Sequence, residues 1–145
     1  MKPNIPVSKK VILNVMYAQN IIADKLMETL KPYDISIEQF NVLRILRGQK
    51  GRPANMGFIQ EQMIAKTSNT TRLVDKLLFK GLVDRQVCPQ NRRKMEVTIT
   101  EKGLQLLEIV DTLVEEAEEK ITAAFSQEEK EQLYSLLEKF KTPNI

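Results

Sequence analysis

Two stretches of this chain concentrate side chains suited to binding rather than to folding. The first is Ser68-Asn69-Thr70-Thr71-Arg72, with Lys76 four residues beyond Arg72. Short hydrogen-bonding residues at the start of a helix offer donors and acceptors to base edges. An arginine there can fork onto guanine O6 and N7, and Lys76, one turn further along the same face, can reach a phosphate. The second stretch is Gln90-Asn91-Arg92-Arg93-Lys94. Three adjacent cations repel one another and add nothing to a core, but they suit a polyanion, and arginine is drawn into narrow A·T-rich minor grooves. Each stretch alone has a plainer reading: Ser, Thr and Asn favour helix caps, and a cationic tip keeps a loop solvated. Their conjunction, about twenty residues apart, points to one duplex, with the helix in the major groove, Arg92 or Arg93 in the minor groove and the neighbouring cations on phosphates.

Other chemistries find little material. The chain has no histidine and one cysteine, Cys88, so an ordinary zinc site and a Ser-His or Cys-His nucleophile pair are excluded. Carboxylate or lysine chemistry stays open by residue type, but no constellation points to it. No catalytic residue, metal or cofactor is therefore expected. A single cysteine allows no internal disulfide and suits a reducing cytoplasm. Cys88 lies beside the cationic tip, but a strand cysteine is more often inert. No apolar run approaches the roughly 20 residues needed to span a bilayer, and MKPNIPVSKK lacks a signal peptide's apolar region, so a cytoplasmic, non-membrane protein is expected.

The elements that must position the two stretches follow from periodicity. Residues 8–30 form a long helix with Ile12, Val15, Met16, Ile22, Leu26 and Leu30 at three- and four-residue steps, Ser8 as N-cap and Pro32 as stop. Its apolar face is broader than one neighbour needs. Ser36 opens a second helix, with Glu38 or Gln39 completing a capping box and Phe40, Leu43 and Leu46 facing inward. After a basic loop over residues 47–53, Asn55 caps a helix of about ten residues with Ile59 and Met63 inward. The pattern breaks around Lys66 to Asn69, with the turn near Thr67. Ser68 or Asn69 then caps a helix to Lys80, with Leu73, Leu77 and Leu78 inward and Gly81 as a left-handed C-cap.

Beyond Gly81 the period falls to two. Val83, Arg85 and Val87, then Met95, Val97 and Ile99, alternate with polar residues, which predicts a hairpin with a long loop leaning on the preceding helices. Thr100 restarts a helix whose seam is Leu104, Leu107, Val110, Val114, Ala117 and Ile121. Ser126 caps a last helix carrying Leu133, Leu136, Leu137 and Phe140, which Pro143 ends.

The expected fold is mainly α with a small β-hairpin wing: a winged helix-turn-helix core at about 36–102, with the helix-turn-helix at about 55–80. Charge is divided to match. Residues 66–102 hold nine Lys/Arg against four Asp/Glu, and residues 103–145 hold four against ten, so the C-terminal end should point away from a polyanion.

The ordered set Ile59-x3-Met63, Thr71-Arg72-Leu73-Val74-Asp75-Lys76-Leu77, Lys80-Gly81-Leu82-Val83-x-Arg85, Asn91-Arg92-Arg93 and Thr98-Ile99-Thr100-x-x-Gly103 resembles the MarR family of bacterial winged helix-turn-helix transcriptional regulators, as does the run from Ser36 to Leu46. The resemblance covers roughly residues 8–141 and makes residues 1–145 a single domain of the MarR kind. It implies a homodimer built from helices at about 8–30 and 101–141, a pseudo-palindromic double-stranded DNA operator, and repression relieved by a small, often phenolic or lipophilic, ligand between the dimer region and the DNA-binding lobe. Tyr17, Tyr33 and Phe40 are candidate effector residues, with core packing the commoner role for such side chains. Asn91 departs from the family's wing, where an Asp braces the arginine. The rival reading is a helical interaction module whose basic tip meets an acidic protein.

Overall fold

The structure, a computed structural model, describes residues 4–66 and 68–142 of the 145-residue chain. Helix α1 spans Val7–Leu30. It starts one residue before the expected Ser8 cap: Pro6 occupies the N-cap position without a side-chain cap, and its carbonyl accepts the Lys10 N–H at 3.1 Å. Pro6 is extended, at ψ 145°, and an N-terminal boundary suits a residue whose φ is fixed and which has no N–H to satisfy. Pro32 converts the far end into a single 3₁₀ turn, Lys31–Tyr33, closed by Asp34 at φ 55°.

Helix α2, Ile37–Gly48, begins with the expected capping box: Ser36 Oγ accepts from Gln39 N–H, and Gln39 Oε1 accepts from Ser36 N–H. The two-residue strand β1, Ala54–Asn55, follows the basic loop. Helix α3, Met56–Gln62, is capped by Asn55 and has seven residues where about ten were expected. It stops because Met63 turns extended, at ψ 138°, while its side chain stays in the core beside Ile59.

Helix α4, Thr70–Phe79, is capped by Asn69 and ends in a full Schellman motif. Gly81 at φ 74° donates to Leu78 O, and Leu82 N–H donates back to Leu77 O. Strands β2, Val83–Cys88, and β3, Asn91–Ile99, pair antiparallel, and β1 pairs on the other edge of β3, Ala54 opposite Val97. This third strand had no sequence signature, because two residues carry no alternation.

Helix α5, Glu101–Ile121, starts at the Thr100 cap, and α6, Gln127–Glu138, at a Ser126–Glu129 capping box. A last 3₁₀ turn covers Lys139–Lys141; Pro143 and Thr67 lie outside the described residues. The end of α4 is riveted to the start of α5. Thr100 Oγ1 donates to Gly81 O, Thr100 N–H to Leu82 O, and Lys102 Nζ to Lys80 O. Gly103 permits this approach, since a Cβ there would lie 2.4 Å from Leu82 O.

The core joins Leu30, Phe40, Leu43, Leu46, Ile59, Met63, Val74, Leu77, Val83, Val97, Leu107 and Val110. Val74 replaces Leu73 as the best buried residue of α4's middle turn; Leu73 and Leu78 are half-buried at the margin. On α1, Leu30 is the one buried residue. Val11, Ile12, Met16, Ile21 and Met27 of α1 and Leu133, Leu136, Leu137 and Phe140 at the C-terminal end are exposed, Met16 at 59%. No described helix is long and apolar enough to cross a membrane.

Candidate nucleic-acid interface

Helix α4 buries Thr70, Val74 and Leu77 and turns Thr71, Arg72, Asp75, Lys76 and Phe79 outward. Arg72 and Lys76, four residues apart, therefore stand on one exposed stripe. Among the described residues neither makes an ion pair. Asn69 spends its side-chain oxygen on the Arg72 N–H as cap, at 3.1 Å, so its amide nitrogen is the part left for a ligand. Ser68 is half-buried at the rim of a cleft between α2 and α4 that Ser36, Asn69, Arg72 and Lys76 also line.

Thr70 needs correction as a surface contact. It is 5% exposed, and its hydroxyl donates to Gln60 Oε1. Gln60 Nε2 in turn donates to Lys66 O at 2.6 Å. One side chain of α3 thus holds both ends of the turn into α4, and Thr70 serves that clamp. Sequence reasoning passed over Gln60, because a lone glutamine on a short helix gives no periodic signal. Thr70 at a helix start has the same residue type whether it faces groove or core.

The wing differs from the expected long loop. Pro89 and Gln90 alone form the turn, closed by the pair Cys88↔Asn91. The register then shifts, since Val87 pairs with Met95. Arg92, Arg93 and Lys94 fill this irregularity on the β3 side, all exposed. A β-bulge re-aims side chains and strengthens local twist, which here throws three cations out of the ladder. Asn91 Oδ1 accepts the Arg93 backbone N–H at 3.0 Å. Its role is to shape the turn rather than to hold a guanidinium. The expected alternation holds at the wing's base, where Val83 and Val97 are buried, and fails towards the tip, where Arg85 and Val87 are exposed. Cys88 is buried.

Wing and helix are tied. Arg85 of β2 donates from Nη1 to Asp75 Oδ1 of α4 at 2.7 Å. Lys80 is engaged within the fold: its Nζ donates to Asp34 O and lies 3.4 Å from Gln39 Oε1. A second long-range pair, Arg47 to Asp111, fastens α2 to α5.

The effector candidates sit in three different settings. Phe40 is 4% exposed, in the core, with the Arg44 guanidinium 5.5 Å from its ring centroid. Tyr33 packs at the core margin, and Tyr17 is exposed on α1. Neither the α2–α4 cleft nor the one lined by Arg44, Ile45, Arg47 and Ile64 includes any of the three. No cluster of metal-ligating side chains occurs among the described residues.

The family model described as "MarR family" matches residues 35–95, from the turn before α2 into β3. A crystal structure of a cysteine-to-serine variant of E. coli MarR complexed with operator DNA superposes with a TM-score of 0.82, at 25% identity, over 92% of this chain and 94% of that one. Over its winged helix-turn-helix core the chain is similar to the MarR family. The HTH-type transcriptional regulator PecS of Dickeya dadantii is 26% identical over 140 residues, 94% of this chain and 83% of PecS. The HTH-type transcriptional repressor IacR of Pseudomonas putida is 29% identical over 109 residues, 75% of this chain and under two thirds, 64%, of IacR. The MarR match takes in the whole of α3, α4 and β2 and the cationic part of the wing.

Proposed function

We propose that this chain is a transcriptional regulator of the MarR kind, a DNA-binding protein and not an enzyme, that works as a homodimeric repressor on a pseudo-palindromic operator. Helix α4 docks in the major groove, N-terminal residues first, and the β2–β3 tip enters the adjacent minor groove. One observation carries this reading: Arg72 and Lys76 share the exposed face of α4, and Asp75 of that helix holds Arg85 of the wing at 2.7 Å, so the two cationic surfaces belong to one rigid unit. The exposed apolar faces of α1 and α6 favour a second copy of the chain, because contiguous apolar surface of that extent is costly to leave in water. Two-fold symmetry then repeats the unit at half-sites about 10 bp apart. Arg72 forks onto a guanine, Ser68, Asn69 and Thr71 meet neighbouring base edges or phosphates, and Lys76 and Lys94 contact phosphates. Release by a small lipophilic or aromatic effector and a cytoplasmic location complete the reading; both rest on the family.

The test is selection of bound fragments from a mixed genomic library, followed by titration at 50 and 200 mM salt. A protein making 6–10 phosphate contacts loses about 10³–10⁵ in affinity over that range and still prefers its own fragments. The rival reading, an adaptor for an acidic protein, predicts neither behaviour and gains no support from the relatives.

A further inference from the structure

We infer that Phe79 is a base-reading residue, packing its ring against the C5-methyl of a thymine about 3 bp from the guanine that Arg72 contacts. Phe79 is 95% exposed, the barest large apolar side chain among the described residues. It is not on an arbitrary part of the surface. Residues 72, 76 and 79 follow i, i+4, i+7 spacing, so Phe79 continues the Arg72–Lys76 stripe towards the end of α4. The rest of that exposed face is polar: Thr71, Arg72, Asp75 and Lys76.

The stripe also ends there. Lys80 is the C-cap, with its ammonium held by Asp34, and Gly81 turns the chain away. Seven residues advance about 10 Å along a helix, or about three base-pair steps at 3.4 Å each when the helix lies along the groove. In that groove the apolar feature a phenyl ring can recognise is the thymine methyl. The inference rests on the proposed docking of α4 and adds a second base to its readout.

The experiment uses the full chain and a selected operator fragment in which each thymine in turn is replaced by deoxyuridine, which removes only the methyl. At one thymine per half-site the unsubstituted protein should lose affinity about fourfold, the worth of one buried methyl. Phe79→Ala should bind the thymine and uracil fragments equally at that position, and Phe79→Leu should keep the preference. An unchanged denaturation midpoint for both variants confirms the fold. If Phe79→Ala keeps the full methyl preference, or loses affinity without changing the response to any thymine, the inference fails while the α4 docking stands. If Arg72→Ala in the same assay leaves fragment preference intact, the docking itself fails.

Discussion

Arg85 of the wing strand β2 donates a hydrogen bond to Asp75 of helix α4 at 2.7 Å, although ten residues and a turn separate them in the chain. This bond ties the wing strand to α4, and in the proposed docking it helps to hold the two surfaces at the spacing of adjacent grooves. Both side chains are at least one-third exposed, 33% for Arg85 and 53% for Asp75, so its contribution to stability is discounted to about 0–1 kcal/mol. Its importance is geometric.

Asp75→Ala separates geometry from charge. Removing a carboxylate from the DNA-facing surface should, by Coulomb attraction alone, strengthen binding to any duplex. We expect instead weaker binding to selected fragments and stronger binding to random ones, with a melting temperature almost unchanged. Fluorescence anisotropy with both DNAs reads the split, and a parallel gain on both would remove the strut from the account.

Gly103→Ala should destabilise the fold. The added Cβ would lie 2.4 Å from Leu82 O and 2.7 Å from Ile99 Cγ1, and a backbone carbonyl in a capped junction has little room to retreat. Overpacking of this kind costs about 1–3 kcal/mol, which a urea unfolding curve resolves as a lower midpoint at unchanged slope.

Gln60→Ala leaves the Thr70 hydroxyl and the Lys66 carbonyl without their partner. Losing such hydrogen bonds costs about 1–3 kcal/mol where the freed group is buried, and Thr70 is. The first turn of α4 should exchange its amide protons faster, while α5 keeps its protection. Uniform loss of protection across both helices would show that Gln60 supports the whole core, not the turn.

Met16→Glu places a charge on the exposed apolar face of α1, where Met16 is 59% exposed in the single chain. The isolated fold should tolerate it, while a dimer interface would not, because an unpaired buried charge is strongly unfavourable. Light scattering should report a monomer, circular dichroism native helical content, and fluorescence anisotropy lost operator binding. A variant that remained dimeric would move the interface elsewhere.

Much of this fold is legible in the sequence. Six helices follow from the three- and four-residue spacing of apolar residues, and caps at Ser36, Asn55 and Ser126 from side-chain chemistry that local backbone geometry demands, while the choice between Ser68 and Asn69 for α4 is decided by the structure in favour of Asn69. What stayed hidden depends on contacts across the chain. Strand β1 exists because β3 passes beside it, and Thr70 can face inward because Gln60 Oε1 is there to accept its hydrogen bond. The wing's three cations sit in a bulge set by pairing between Val87 and Met95, which no local pattern encodes. Pro6 displaced the expected Ser8 cap because a proline's fixed φ suits a helix start without help from a side chain.

The central claim is that α4 and the wing tip read adjacent grooves of one duplex, twice. Chemical footprinting of a selected fragment tests it most directly, with dimethyl sulfate probing guanine N7 in the major groove and hydroxyl radicals probing the minor groove. The account predicts a protected guanine flanked by a protected minor-groove segment, repeated with inverted polarity about 10 bp away, with the minor-groove part lost in an Arg92→Ala, Arg93→Ala double variant. A single unrepeated patch, or protection confined to the minor groove, would contradict it.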